Sequence, residues 1–238
     1  MSIDNRFELT KDNLNLYLKE VAKEYRKLNR NGIHAEIIIV GGGSILMNYS
    51  FRLSTTDIDA YAQASSSLKE AINRVTDRYD LPNGWFNSDF KNTSSFSNKL
   101  IMYSKHYKTY YSIFDVRTIT REYLIAMKLR AGRKYKNDLS DIVGILDEHL
   151  QNNDPIKLEE IHNAYEQLYG DWEDLGDDIK AFIGAIFNNT NNIHALYETT
   201  RVQEQNSKNL LIQFEDSYPG AATVSNVDLI LNSLKNKK

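Results

Sequence analysis

An α+β fold, with a mixed sheet flanked by helices and then an all-helical C-terminal part, is predicted for this 238-residue chain by three observations. Short β-branched and aromatic runs alternate with helical periodicity up to about residue 118. A glycine triplet, Gly41 to Gly43, follows the first of those runs, and from Thr120 onward apolar residues recur at helical spacing. The expected division is residues 1–118 as an α/β domain and 119–238 as a helical domain.

The elements follow in order. Leu14, Leu18, Val21, Tyr25 and Leu28 recur at steps of three and four, with Thr10 as N-cap and Asn31-Gly32 as the stop, which predicts an amphipathic helix. Glu36 to Val40 carry four consecutive β-branched residues and predict a short buried strand. "SILMNYSF" is long enough for about two helical turns, and "DIDAYA" reads as the next strand. Leu68, Ile72, Val75 and Tyr79 predict a helix ended by Pro82-Asn83-Gly84. "NKLIMYS" and "TYYSIFDV" are expected as two strands joined around Lys105 to Lys108. Asp154 is expected to cap a helix with Pro155 at its first position, running through Leu158, Ile161, Tyr165 and Leu168 to Gly170. Ile179, Phe182, Ile183 and Ile186 mark another helix, and residues 192–212 and 225–235 supply two more.

Composition narrows the function classes. The chain is 41% hydrophobic and 26% charged, enough for one substantial core or two modest ones. It has no cysteine, which excludes disulfides and thiolate metal sites. No apolar run approaches the roughly 20 residues of a spanning helix, and the acidic residues near the start, in "MSIDNRFELTKDN", do not fit a signal or transit peptide. A cytoplasmic setting without membrane partners is expected. A net charge of −3 and a sequence pI of about 6.0 leave any polyanion to a local patch.

The chemistry concentrates in "IIIVGGGSILMNYSFRLSTTDIDAYA", residues 37–62. In an extended strand Asp57 and Asp59 project to one face while Ile58 points to the core. Two carboxylates on one face can share a hard cation, and magnesium normally combines one or two carboxylates with substrate phosphate oxygens and water. Gly42 and Gly43, with no Cβ, allow amide N–H groups and the Ser44 hydroxyl to meet a triphosphate at a helix start. Each feature alone also has an ordinary structural reading, a tight turn or a solvated strand edge. Together they supply both halves of a nucleoside triphosphate–metal site. The stretch lacks the lysine of a P-loop, and Leu46 stands where a dinucleotide fingerprint needs glycine. The all-helical remainder also argues against the continuing βαβ units of a dehydrogenase.

On these residues the chain resembles the nucleotidyltransferases with the DNA polymerase β type of fold, marked by GG or GS on a short helix followed by a DhD pair. "GGGSILMNYSFRLSTTDIDAY" together with "EYLIAMKLRAGRKYKNDLSDIVGIL" is most similar to the small bacterial nucleotidyltransferases, including AbiEii and MenT type toxins of toxin–antitoxin systems. The resemblance covers roughly residues 35–147, with Thr55 in the T-x-D-h-D approach. It implies transfer of a nucleoside monophosphate from an NTP to a hydroxyl of RNA, tRNA, protein or a small molecule, with two Mg²⁺ ions on Asp57 and Asp59. A cognate antitoxin or toxin is an implied partner. The alternative from another class is a non-catalytic nucleotide-binding or antitoxin-type regulatory protein on the same fold.

The resemblance further implies a third carboxylate on a neighbouring strand, which Asp115 in "FDV" fits. Asp115 would complete the metal site or take the acceptor proton; its ordinary reading is a strand-terminal turn. Lys128 falls among Leu124, Met127 and Ala131, on the apolar stripe of its helix. There it either snorkels or, as the resemblance implies, contacts phosphate with Arg133. Arg130, Lys134 and Lys136 extend the basic run, which is a solvated face or a receiver of polyanion. Asp138 and Asp141 open the next helix, where carboxylates suit the dipole, and one of them is expected to anchor Lys128 or Arg133. The five histidines show no zinc spacing. Trp85, Phe86 and Phe90 are expected to be buried, or else to stack on a base.

Overall fold

The computed structural model describes residues 7–29, 32–62, 65–223 and 225–235. In chain order its helices and strands are α1 (Lys11–Leu28), β1 (Ala35–Ile39), α2 (Gly41–Asn48), β2 (Ile58–Ala62), α3 (Ser66–Tyr79) and β3 (Phe86–Asn87). Then come β4 (Ser104–Tyr110), β5 (Phe114–Ile119), α4 (Arg121–Ala131), α5 (Asp138–Gln151), α6 (Leu158–Tyr169), α7 (Asp177–Asn188), α8 (Ile193–Ser217) and α9 (Val227–Lys235). The chain divides into two compact units, residues 1–127 with 160–170 and residues 128–159 with 171–238. The change of sequence texture near residue 118 and this division of packing differ, because residues 119–127 and 160–170 pack with the first unit. Among the described residues no helix is long and apolar enough to cross a membrane.

The first unit is a five-stranded mixed sheet ordered β3-β2-β1-β5-β4. β1 runs antiparallel to β2 and parallel to β5, while β2 is parallel to β3 and β4 antiparallel to β5. Ile37, Ile39, Ile58, Ala60, Phe114 and Val116 form one face of the sheet and share a core with Leu14, Leu18 and Val21 of α1 and Leu68, Ala71 and Val75 of α3. α1 starts in a capping box, the Asn13 amide donating to Thr10 Oγ1 and the Thr10 amide to Asn13 Oδ1. It stops at Leu28; Gly32 beyond it lies at φ +64°, and Asn31 is outside the described residues. Trp85 is buried, donates to Thr76 Oγ1 at 2.7 Å and packs edge-on against Tyr17. Phe90 is buried against Phe96. α6 is held in this unit by Ser97 Oγ donating to the Leu168 carbonyl at 3.0 Å and Tyr169 Oη donating to the Ser95 carbonyl at 2.6 Å.

Three expected boundaries move. "NKLIMY" is a 3-10 turn, Asn98–Tyr103, because Ser97 Oγ accepts from the Lys99 amide and Ser104 Oγ donates to the Ile101 carbonyl, local bonds that compete with a ladder. The hairpin turn falls at Tyr111-Ser112, both at positive φ, and the expected loop Lys105 to Lys108 lies inside β4. β4 is an edge strand, where charged side chains are compatible with pairing on one side only. α6 starts at Leu158 rather than after Asp154, since Asp154 turns back to α5, its amide donating to the His149 carbonyl at 3.0 Å.

In the second unit α8 packs along α5. The Lys134 ammonium pairs with Asp178 of α7 at 2.6 Å, and the His194 imidazole on α8 meets Asp147 of α5 at 3.0 Å.

Two glycines report opposite constraints. A methyl group on Gly43 would stand 2.8 Å from Ile39 Cγ2, whereas one on Gly184, inside α7, would meet nothing within 4 Å. Gly43→Ala should therefore lower the urea unfolding free energy by about 1–3 kcal/mol, and Gly184→Ala should raise it by up to about 1 kcal/mol.

Candidate functional site

The glycines are not a turn ahead of a helix; they are the first turn of α2. Val40 leaves β1 in extended conformation, Gly41 takes φ +56°, and the helix begins without a side-chain cap. The N-cap residue, Val40, supplies no side-chain cap, and the helix dipole favours an anion at this end. The Val40 amide donates to the Asp59 carbonyl at 2.9 Å, which fixes the start of α2 beside β2. A Cβ on Gly41 would stand 3.7 Å from Asp59 Oδ2, so the carboxylate lies over the glycine turn. Asp57 directly precedes β2, Ile58 between the two aspartates is fully buried, and both carboxylates are half-buried. Gly42 carries a further load: a methyl there would be 2.8 Å from Arg52 Nη2 and 2.9 Å from Thr55 Oγ1.

Ser44 departs from expectation. It is fully buried, and its hydroxyl accepts from the Ile119 amide at 3.3 Å, tying α2 to β5. The Ser44 hydroxyl is therefore engaged inside the fold, which removes it from the phosphate contact expected of it.

Asp115 is corrected by strand register. It pairs opposite Glu36, whereas the β1–β2 ladder, continued by the Val40–Asp59 bond, sets Asp59 opposite Val40, four residues further along β1. The two carboxylates share a sheet face but are separated by about 13 Å along the strands and by two strand spacings of about 4.8 Å across them. No single ion spans that gap. Asp115 instead accepts from Thr109 Oγ1, with His34 Nδ1 at 3.8 Å. The residue level with Asp59 on the adjoining strand is Asn87 of β3, which carries no charge. Among the described residues no group of three or more His, Asp or Glu is placed to hold a metal. The site thus offers two hard oxygen donors, which fits Mg²⁺ only where phosphate oxygens and water fill the remaining positions.

Lys128 is buried, but not on a narrow apolar stripe: every residue from Leu124 to Leu129 is buried. Its ammonium meets both Asp138 Oδ1 and Asp141 Oδ2 at 2.8 Å, so both expected anchors are used. Arg133 Nε and Nη2 grip Asp138 at 2.7 and 3.2 Å. Burial by itself would raise the Asp138 carboxyl, yet Lys128 and Arg133 outweigh it and hold this group well below the ordinary carboxylate range. Glu204 of α8, which the sequence did not single out, caps this turn. It accepts from the Leu139 amide at 2.8 Å, the Ser140 amide at 3.3 Å and the Ser140 hydroxyl. Burial, against these bonds, pushes Glu204 up to about 7, with Asp141 adding to the rise. A lone glutamate in a helix 64 residues beyond Ser140 carries no local signal of that role.

A family described as "nucleotidyltransferase of unknown function", DUF6036, matches residues 17–176. The chain belongs to this nucleotidyltransferase family. No curated protein and no solved structure matches it. The matched region of the nucleotidyltransferase contains the glycine turn, Asp57, Asp59, Lys128, Asp138 and Asp141, and stops before Glu204.

The buried charges of the nucleotidyltransferase set a pH dependence. Glu204 has a raised folded value, so its contribution is fully present below the ordinary 4.5 and is lost as pH rises toward about 7. Asp138 has a lowered one, so its contribution is present above its ordinary 3.8 and is lost at stronger acid. Unfolding free energy should therefore fall between pH 4.5 and 7 by at most about 3 kcal/mol. Urea titrations of Glu204→Gln should show that slope removed, whatever the variant's absolute stability.

Proposed function

We propose that the protein transfers a nucleoside monophosphate from an NTP to a hydroxyl acceptor with release of pyrophosphate, using Asp57 and Asp59 to hold Mg²⁺. The observation that carries this reading is the Asp59 carboxylate over Gly41, at a helix start with no side-chain cap. When bound, Mg²⁺, in two ions on the pair, supplies Lewis-acid polarisation of phosphate oxygens. The chain's own groups do the rest. The backbone amides of Gly42 and Gly43 donate to the triphosphate, and Asp57 and Asp59 set where the phosphate chain lies. The acceptor oxygen bonds to the α-phosphorus as the α-phosphorus bond to the α,β-bridging oxygen breaks, pyrophosphate leaves with that oxygen, and the hydroxyl proton passes to solvent water.

The acceptor is RNA such as tRNA, a protein or a small molecule, and a toxin role would appear as growth arrest that requires Asp57. Asn87 in place of a third carboxylate favours one second reading, nucleotide binding without turnover. The test separates them. Labelled NTPs with Mg²⁺ are offered with bulk tRNA, total protein and aminoglycosides, and pyrophosphate release and label transfer are counted. The wild type should transfer label, and Asp57→Asn should lower the rate by at least about a hundredfold with an unchanged melting temperature. Binding of Mg-NTP with no release from any combination would favour the second reading. Full activity in Asp57→Asn would remove the metal assignment.

A further inference from the structure

Residues 90–114 contain four lysines and no aspartate or glutamate, in a chain whose net charge is −3. A polyanion would find its local patch here. The segment ends in β4 and the hairpin turn to β5, and the two central residues of that turn, Tyr111 and Ser112, lie at φ +51° and +54°. The Ile113 amide closes the turn on the Tyr110 carbonyl at 3.2 Å. A turn with two positive φ values favours Asn, Asp or Gly, and a bulky aromatic residue there is an outlier. Tyr111 gains no burial in return, since 37% of it is exposed. Backbone strain beneath an exposed ring points to a function for the ring. The Arg26 guanidinium of α1 lies over it, 5.9 Å from its centroid.

α1 packs beside β4, the Tyr110 hydroxyl donating to Asn15 Oδ1 at 3.0 Å. Lys105 and Lys108 pair with Thr118 and Val116 of β5, on the side of the sheet that carries α1, and both are exposed. Lys108 lies over the Tyr110 ring at 5.1 Å. The acidic residues of β1 and β5, Glu36 and Asp115, alternate to the other face. Glu20 and Glu24 of α1 turn to Arg78 of α3. Arg26, Lys108 and Lys105 thus leave a cationic line along β4 that ends on an exposed ring.

We propose that this edge of the first unit binds single-stranded RNA, a base stacking on Tyr111 and the phosphates following Lys108 and Lys105. Cations beside an aromatic ring match a strand whose bases are unstacked, and loops and ends of RNA supply such strands. β4 and β5 pair up to Tyr110 and Phe114, so no ribbon projects to enter a duplex groove. The register shift between His106 and Lys108, with lysines on the edge, opposes the addition of a peptide strand. Asp59 projects from the other face of the sheet, so this surface stands independently of nucleotide transfer.

The test is fluorescence anisotropy of a labelled oligoadenylate RNA across a salt series, with unlabelled RNA, DNA of the same sequence, duplex RNA and polyglutamate as competitors. Tyr111→Asn should weaken RNA binding by about tenfold while raising the melting temperature, because asparagine accepts positive φ, and Tyr111→Phe should bind as the wild type does. Those opposite signs set stacking apart from a structural role. The double variant Lys105→Gln with Lys108→Gln should weaken binding and flatten the slope of log affinity against log salt by about 1.4. Asp57→Asn should bind as the wild type does. Unchanged affinity in Tyr111→Asn, or stronger competition by DNA, duplex or polyglutamate than by the RNA strand, would overturn the proposal. So would a wild type that binds no RNA.

Discussion

No methyl group fits between the first turn of α2 and the strand beneath it, and most of the site's geometry follows from that closeness. With Gly43 against Ile39, the helix sits down on the end of β1, and Ser44 reaches the Ile119 amide of β5. With Gly42 against Arg52 and Thr55, the connection to β2 is drawn over the same turn. With Gly41 at positive φ, the chain can change direction within one residue and leave Asp59 beside the uncapped helix start. Three small residues thus do three different jobs, and only one of them, at Gly41, is conformational. The other two are matters of space.

The second unit solves a different problem, that of holding charge out of water. Lys128 and Arg133 face Asp138 and Asp141 at the start of α5, and Glu204 closes that start from α8. Removing one member of such a group leaves its partner buried and uncompensated, which costs far more than the net worth of the pair. Opening the cluster is therefore costly. Through Glu204, a segment beyond the family-matched region, α8, bonds to residues inside that region.

How much of this could be read beforehand depended on the range of the interaction responsible. α1, β1 and α3 show in the sequence because burial on one face imposes a local period, and the Asp57 and Asp59 pair shows because a strand alternates faces. Lys128 stood out as a charge among apolar neighbours. The hairpin of β4 and β5 was misplaced because an edge strand with one solvated side reads like a polar loop. Asp115 had the right local form, but whether a carboxylate reaches a metal is set by register with β1, which no local pattern reports. The direction of the Ser44 hydroxyl, the seat of Arg52 and the cap made by Glu204 are equally non-local. Each depends on a residue brought close only when the sheet or the helix pair has formed.

The most direct measurement is a crystal structure with Mn²⁺ and a non-hydrolysable NTP analogue, read by anomalous scattering at the manganese edge. The account predicts manganese ligated by carboxylate oxygens of both Asp57 and Asp59, with the triphosphate against the amides of Gly42 and Gly43 and Asp115 uninvolved. Manganese bound away from the pair, or a triphosphate seated elsewhere in the protein, would contradict it.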